Sequence, residues 1–247
     1  MFMYNPYFSA YPEYSRQTLD WMPSDTEKLY KAHTKSTNLH TVEKLKELGF
    51  TDTNVKYKIN KYGFRCDDFV KKDNIVFLGC SITLGVGINI EDSFTQIVAN
   101  SLELNNCNLA YAGGSMDACF RIASHWLPQL KPSITVLVTP PAERSEIYQS
   151  RARMHETLLP NMTRGNPWYV EYIKSKHNTD TNFLKNKLAI QQLCQSINSR
   201  LIYIDSEWDG HVGVDKARDL MHPGKESNRL TASNLLKYID DKGVLNV

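Results

Sequence analysis

The sequence predicts an α/β protein, a flavodoxin-like three-layer α/β/α sandwich with a central parallel sheet and an N-terminal arm. Short uninterrupted apolar runs, such as Ile75–Leu78 and Ile134–Val138, are typical of parallel strands buried on both faces. Segments with helical periodicity separate these runs, and this alternation produces right-handed βαβ units. A chain of 247 residues, 41% of them hydrophobic, fits one such domain with a sizeable core.

The first 73 residues are predicted to form an arm and a lead-in that pack on the main domain of residues 74–247. Residues 1–20 are rich in aromatic side chains, but Pro6 and Pro12 prevent a continuous helix. We therefore expect an extended arm that docks on the domain or on a neighbouring subunit, so that a homo-oligomer through the arm is one alternative. A lid that contacts substrate is another.

The lead-in is predicted to contain two short helices within residues 24–49. Ser24 would cap the first of them, with Glu27 at the third position. Val55–Lys61 alternates between apolar and polar residues like an edge strand.

Each element of the main domain follows from its apolar pattern. In chain order we expect strand Ile75–Leu78, helix Glu91–Leu104, strand Cys107–Tyr111, helix Met116–Leu130, strand Ile134–Val138, an irregular stretch from about 140 to 180, a helix with Ile190, Leu193, Cys194 and Ile197 on one face, strand Leu201–Ile204, and a last helix from about Gly224. The irregular stretch carries Trp168, Tyr169 and Tyr172 and is expected to line or cover the pocket.

Composition narrows the function classes. The formal charge of +2 and the lack of a Lys/Arg block predict no strong attraction to nucleic acid or to an anionic membrane. Five cysteines without CxxC spacing argue against a disulfide framework or a zinc knuckle and fit a reducing compartment. We see no signal-peptide pattern, and the most apolar stretch, Ile75–Ile90, is too short to span a bilayer. A soluble, cytoplasmic protein is expected.

Candidate catalytic residues come directly after the predicted strands. In parallel sheets, binding and active sites form beyond the carboxyl ends of the strands. Ser81 comes directly after the first strand, at a turn that exposes a serine hydroxyl. Gly113 follows the second strand, where a glycine lets a backbone N–H approach a substrate oxygen closely. Asp219 stands three residues before His222, so its carboxylate can accept from Nδ1–H and leave Nε2 free to take the serine proton.

Three blocks of the sequence resemble those of the SGNH (GDSL) hydrolase superfamily. Phe77–Gly85 is similar to the first block, with Gly-Cys-Ser in place of Gly-Asp-Ser. Asn108–Gly113 is similar to the second, in which a glycine N–H donates to the oxyanion, and Asp219–Pro223 matches the final Asp-x-x-His block. The resemblance extends over roughly residues 74–240 and implies a flavodoxin-like sheet, an acyl-enzyme without metal or other cofactor, and ester substrates, either carboxylic or acetylated-carbohydrate.

The third block departs from the family pattern. The family has Gly-x-Asn-Asp after the third strand, and its Asn side chain is a further oxyanion donor, whereas this chain has Ala142 at that position. Losing one such donor typically costs on the order of 10²–10³ in rate. Either Arg144 replaces it, or the enzyme is slow, or the protein is no longer catalytic.

The predicted function is hydrolysis of short-acyl or acetyl esters, with Ser81 as nucleophile, His222 as general base and Asp219 as the carboxylate that orients it. The N–H groups of Ser81 and Gly113 would form the oxyanion hole, with Arg144 as a further candidate. Alternatives at the level of function are an acyltransferase that moves acetyl to a sugar and a non-catalytic binding or assembly protein.

Other residues offer alternatives within the site. Ser81 could be only a helix cap, Cys80 could be the nucleophile, and Gly114 could replace Gly113. His211, which follows Asp205 and Asp209, is a competing base. Together with Asp215 the same stretch could suggest a metal site, but its spacing matches no metal motif. Arg65 is expected to be a structural salt-bridge residue.

Overall fold

The structure is a computed structural model that describes residues 2–36, 39–150, 154–160, 167–205 and 208–242. In chain order its strands and helices are β1 (Thr18–Leu19), α1 (Glu27–Lys35), α2 (Leu39–Glu47), β2 (Tyr57–Lys58), β3 (Asn74–Leu78), α3 (Ser81–Leu84), α4 (Phe94–Ser101), β4 (Asn105–Asn108), α5 (Met116–Leu130), β5 (Ile134–Val138), β6 (Ser145–Gln149), β7 (Met154–Leu158), α6 (Pro167–Lys174), α7 (Lys176–Ser196), β8 (Arg200–Ile204) and α8 (Lys225–Asp241).

The central sheet has the strand order β4-β3-β5-β8, and neighbouring strands are parallel throughout. Helices α5 and α7 cover one face, and α4 and α8 cover the other. The predicted flavodoxin-like α/β/α sandwich is confirmed. The chain reverses its direction of growth across the sheet between β3 and β5, and such a switch point is where ligands bind, beyond the carboxyl ends of the strands.

The side chains of β3 show why its sequence is an unbroken apolar run. Ile75 and Phe77 pack in the core beneath α4 and α8, whereas Val76 and Leu78 pack in the core beneath α5 and α7. Because both faces of this strand are covered, neither set can be polar. The burial holds β3 rigidly and fixes the point at which the chain emerges toward Ser81.

The N-terminal arm packs on α5 of its own domain. The indole N–H of Trp126 donates to the Phe8 carbonyl at 2.9 Å. Arg121 donates to the carbonyls of Tyr7 at 2.6 Å and Ser9 at 3.2 Å. These bonds account for backbone groups of the arm that lie against the domain surface. A homo-oligomer formed through the arm stays a prediction.

The lead-in differs from its prediction in two details. Helix α1 begins after Thr26, whose hydroxyl accepts from the Leu29 N–H at 3.2 Å, and not after Ser24, whose backbone is left-handed with φ 77°. A left-handed residue cannot provide the extended geometry that an N-cap requires. The strand expected over Val55–Lys61 is reduced to the two residues of β2, which pair with β1.

The stretch from 140 to 180 is more regular than the sequence indicates. It contains the antiparallel hairpin β6–β7, helix α6 and the start of α7. The hairpin strands were missed because polar residues stand on both of their faces and leave no alternation to detect. The helix expected over Glu91–Leu104 begins later, as α4, because the Ser93 hydroxyl caps it by accepting from the Gln96 N–H. Within the described ranges, no helix has the length and apolarity needed to cross a membrane.

Candidate active site

Ser81 is the first residue of α3, three positions after the end of β3. The turn between them requires Gly79, since a Cβ there would overlap the Thr83 side chain and lie 3.0 Å from the Val138 carbonyl oxygen. Ser81 is half-buried, so its hydroxyl is accessible, whereas Cys80 beside it is buried. The turn therefore leaves the Ser81 hydroxyl accessible and the Cys80 thiol buried.

Asp219 and His222 lie on one short loop just before α8. Lys216 and Pro223 close the loop through an antiparallel bridge, and the Ala217 N–H donates to the His222 carbonyl at 2.9 Å. The His222 ring and the Asp219 carboxylate are thus fixed relative to each other by the backbone of a single loop.

The three predicted side chains form a hydrogen-bonded row. The Ser81 Oγ lies 2.8 Å from the Nε2 of His222, and the Nδ1 of the same ring is hydrogen-bonded to Oδ2 of Asp219. Oδ1 of Asp219 accepts from the backbone N–H groups of Met221 and His222, both at 3.0 Å. The structure therefore brings together Ser81, His222 and Asp219 from two loops that are far apart in the chain.

The electrostatics of Asp219 favour an ionised carboxylate. Burial acts to raise the pKa of this carboxyl group, but the hydrogen bonds from the His222 ring and from the two backbone N–H groups outweigh burial, and the net pKa lies below the usual value. An acceptor at Nδ1 holds the proton there and leaves Nε2 as the nitrogen that can accept from a hydroxyl. The arrangement can deprotonate Ser81.

The loop after β4, called the glycine loop below, carries Gly113 and Gly114, and the two glycines differ in their hydrogen bonds. Gly114 donates its N–H to the Tyr111 carbonyl at 2.8 Å, whereas the Gly113 N–H has no acceptor among the described residues. Gly113 has φ 74°, a left-handed backbone that favours glycine. Of the two, Gly113 is the one whose N–H is available to a ligand, so the Gly114 alternative is disfavoured.

Arg144 extends toward the same loop. Its Nη1 lies 3.5 Å from the Gly114 carbonyl oxygen, and its own N–H donates to the Pro141 carbonyl at 3.2 Å across a tight turn. The guanidinium is thus beside the loop that carries Gly113. Arg144 therefore places a positive charge beside this loop, whereas the side chain of Ala142 has no hydrogen-bond donor.

Asn108 joins the serine-bearing helix to the glycine loop. It is fully buried, donates to the Thr83 carbonyl at 2.8 Å, and accepts from the Ala110 N–H at 3.1 Å. A buried amide with these partners fixes the spacing between α3 and the loop. Asn108 belongs to the second sequence block, in which only the glycine was predicted to have a role.

The acidic stretch around His211 and Asp215, which was the alternative site, makes structural contacts. Asp215 accepts from the N–H groups of Glu226 at 3.1 Å and Ser227 at 2.8 Å, and so caps α8. His211 packs edge-on against Trp208 with ring centroids 5.0 Å apart, and the ring that meets Ser81 belongs to His222. In the described part of the chain no group of three or more His, Cys, Asp or Glu residues could hold a metal ion.

Arg65 is buried, but among the described residues its guanidinium binds backbone carbonyls and not the carboxylate of the expected salt bridge. Its guanidinium donates to the carbonyls of Leu84 at 3.0 Å, Gly85 at 2.5 Å and Ile88 at 2.6 Å. These carbonyls follow Ser81 in the chain, and their orientation is what makes the site suitable for a cation. Arg65 therefore holds the segment beyond α3.

Two cavities lie beside the β6–β7 hairpin. One of about 410 Å³ is lined by Trp168 and Tyr172, whereas the Tyr169 side chain lies outside the described part of the structure. Neither Ser81 nor His222 lines this cavity, so a role of the stretch at the active-site pocket stays a prediction. A second of about 670 Å³ lies between the arm and the β6–β7 hairpin, and Tyr111, two residues before Gly113, lines it. Both are large enough for a small ligand.

No protein-family model matches the chain, and no curated protein matches it. Similar solved structures include TesA (10% identity, TM-score 0.46, covering 68% of this chain and 98% of that one). A GDSL-like lipase from Bacteroides thetaiotaomicron VPI-5482 is 11% identical (TM-score 0.36, 70% of this chain and 69% of that one). The psychrotrophic esterase EstA from Pseudoalteromonas sp. is 15% identical (TM-score 0.38, 71% and 100%). At such low similarity, function has to be inferred from the geometry of Ser81, His222 and Asp219.

Proposed function

We propose that the protein is a serine hydrolase that cleaves short-acyl, above all acetyl, carboxylic esters through an acyl-enzyme. One observation carries this proposal: the Ser81 hydroxyl lies 2.8 Å from a histidine nitrogen whose other ring nitrogen is bonded to a buried carboxylate. A serine is a weak nucleophile by itself, and an adjacent base oriented by a third group is what activates it.

In the first step the Ser81 oxygen attacks the carbonyl carbon while Nε2 of His222 takes the hydroxyl proton. Asp219 stabilises the imidazolium that forms. The N–H groups of Ser81 and Gly113, which have no acceptors among the described residues, donate to the negatively charged oxygen of the tetrahedral intermediate. Arg144 supplies positive charge beside the same loop.

Collapse of the intermediate breaks the ester C–O bond, and the His222 imidazolium gives its proton to the leaving alkoxide. The acyl group is then bound to Ser81. Water enters, loses a proton to His222 as it attacks the acyl carbon, and a second tetrahedral intermediate collapses to release the carboxylic acid. The proton returns to the Ser81 oxygen, so the enzyme is regenerated without any cofactor.

The test is covalent labelling with a fluorophosphonate probe, together with a screen of p-nitrophenyl esters of increasing acyl length. Wild type should be labelled and should hydrolyse the acetate best, and Ser81→Ala should do neither. Cys80→Ala is the matched control and should keep both properties, since the thiol is buried. Absence of Ser81-dependent labelling and turnover in folded wild type would overturn the proposal.

The same assay separates hydrolysis from acyl transfer. With a sugar added as acceptor, a hydrolase releases free acetate at an unchanged yield, whereas an acyltransferase forms an acetylated sugar. Both outcomes require Ser81 and His222, so product analysis is the measurement that distinguishes them.

A further inference from the structure

A fully buried ion pair lies behind the loop that carries Asp219 and His222. Arg218 and Asp25 are 0% and 1% exposed, and the guanidinium contacts the carboxylate through two nitrogens, at 2.7 Å from Nη2 and 3.1 Å from Nε. Arg218 directly precedes Asp219, whereas Asp25 belongs to the N-terminal lead-in. The pair therefore joins the lead-in to the loop that carries the proposed base.

The ion pair is one part of a closed ring of hydrogen bonds. The backbone N–H of Arg218 donates to the Gly87 carbonyl at 3.0 Å. The Gly87 N–H donates to the Tyr57 oxygen at 2.7 Å, and the Tyr57 hydroxyl donates to Asp25 at 2.6 Å. Burial, and then the charge of Asp25, raise the pKa of Tyr57, so its hydroxyl keeps the proton that it donates. We call Asp25, Tyr57, Gly87 and Arg218 the buried ring.

The buried ring also reaches the nucleophile. Gly87 lies in the segment that follows α3, and the neighbouring Val86 N–H donates to the Ser81 carbonyl at 3.2 Å. A Cβ at Gly87 would lie 2.7 Å from the Ala217 Cβ and 3.0 Å from the Arg218 nitrogen, so the two loops are in direct contact there. Any shift of Arg218 would change the separation between the Ser81 loop and the His222 loop.

A buried ion pair contributes little to stability compared with apolar residues of similar volume, but losing one partner leaves an uncompensated charge. This asymmetry favours a role in fixing one arrangement of the chain. The loop needs such support because Leu220, between Asp219 and His222, has φ 58°, a left-handed backbone that is unfavourable for leucine.

We infer that Asp25 and Arg218 are positioning residues that hold the Ser81 hydroxyl and the His222 ring within hydrogen-bond distance through the buried ring. This inference rests on the proposed function. Neither residue contacts the reacting atoms, and their effect is transmitted through the backbone of Gly87 and Asp219.

The first test is Asp25→Asn, which keeps the shape of the side chain and removes its charge. With p-nitrophenyl acetate we expect kcat to fall on the order of 10², because misplacement of reacting groups by about 1 Å has that effect, while KM changes less than about twofold. Arg218→Lys keeps the charge and should retain more activity than Arg218→Met. Ile190→Ala is the matched control, since it opens the core at α7, a helix that contributes no residue to the buried ring. It should keep kcat within about twofold.

The second readout is the low-field proton resonance of the hydrogen bond between His222 Nδ1 and Asp219, which needs no turnover. It should be present in wild type and in Ile190→Ala, and shifted or broadened in Asp25→Asn. Tyr57→Phe removes one hydroxyl, keeps the ion pair, and gives the same comparison if Asp25→Asn does not fold.

Two results would overturn the inference. One is a folded Asp25→Asn or Tyr57→Phe variant with unchanged kcat and an unchanged proton resonance. The other is an Ile190→Ala control whose kcat and resonance change as much as those of Asp25→Asn. A wild-type protein that is not labelled by the fluorophosphonate would instead overturn the proposed function. In that case the resonance still decides whether the ring positions His222.

Discussion

The phenolic oxygen of Tyr11 accepts a 2.7 Å hydrogen bond from the backbone N–H of Ala112, the residue before Gly113. Tyr11 is 2% exposed, and its burial raises the pKa of the phenol far above the usual value. The N-terminal arm is therefore part of the support for the loop that is proposed to bind the oxyanion.

Tyr11→Phe should leave the partly buried Ala112 N–H without its side-chain acceptor. We expect a loss of about 1–3 kcal/mol in the free energy of unfolding, and a lower kcat because the Gly113 N–H is less well held. Chemical denaturation and ester hydrolysis measure the two effects. Tyr14→Phe is the control, since its ring stacks on that of Tyr11 and its hydroxyl makes no such bond to any described residue. Equal behaviour of the two variants would refute the prediction.

Asp219→Asn should lower kcat on the order of 10⁴, because an amide in this position stabilises the wrong imidazole tautomer. Steady-state kinetics with p-nitrophenyl acetate provide the measurement. Asp215→Asn, four residues earlier, removes a carboxylate that caps α8 and should affect stability more than kcat. If Asp219→Asn retained more than a tenth of the wild-type kcat, the carboxylate would not have the assigned role.

The stability of the protein should decrease in acid through the same two carboxylates. In both Asp215 and Asp219 burial acts to raise the pKa, but hydrogen bonds lower it overall, so the folded state favours the charged form. Their contribution is fully present above the unfolded pKa of about 3.9 and is lost as pH falls through the lower folded pKa. Denaturation curves at pH 7 and pH 3 should show a difference between wild type and each Asp→Asn variant that shrinks at pH 3.

Gly87→Ala and Gly49→Ala provide a matched pair. Both glycines have a left-handed backbone, with φ 79° and 70°, so the backbone strain of each substitution should cost about 1–2 kcal/mol of stability, and steric overlap adds to that cost only at Gly87. Only the Cβ at Gly87 meets other atoms, those of the loop that carries Asp219. We expect Gly87→Ala alone to lose activity in assays well below its melting temperature, and a fully active Gly87→Ala would show that the loops can separate without consequence.

Arg144→Met should lower kcat on the order of 10² and leave KM nearly unchanged, if the guanidinium acts as the oxyanion donor that Ala142 does not provide. Arg229→Met, which removes an exposed ion pair with Glu226, is the control for loss of one positive charge. The comparison is made by steady-state kinetics at fixed ionic strength. Identical kinetics of Arg144→Met and wild type would contradict the role of Arg144.

Strands β3 and β5 could be predicted because they are buried on both faces and so consist of apolar residues in a row. Strand β4, expected over Cys107–Tyr111, instead covers the largely polar Asn105–Asn108, so its apolar pattern gave the wrong bounds. Helix Met116–Leu130 and strand Ile134–Val138 have the bounds expected from the sequence, since Ser115 caps the helix and apolar periodicity fills both elements. The hairpin β6–β7 could not be predicted in this way, because its strands carry polar residues such as Glu146 and Glu156 on a surface that is covered only in part.

The site was predictable to the extent that its chemistry is local in sequence. Ser81 follows a strand, and Asp219 and His222 share a loop, so short motifs reveal them. Asp25 and Arg218 give no such signal, because an ion pair between distant segments depends on the tertiary fold and any aspartate and arginine are compatible with it. The predicted oxyanion role of Gly113 stays a prediction.

The partners in the buried ion pair are 193 residues apart in the chain. During synthesis on the ribosome, which proceeds from the N-terminus, Asp25 emerges long before Arg218 has been translated. The nascent chain thus holds an unmatched carboxylate until Arg218 has been made. Hydrolytic competence should accordingly arise only after α8, which follows Arg218, has left the exit tunnel.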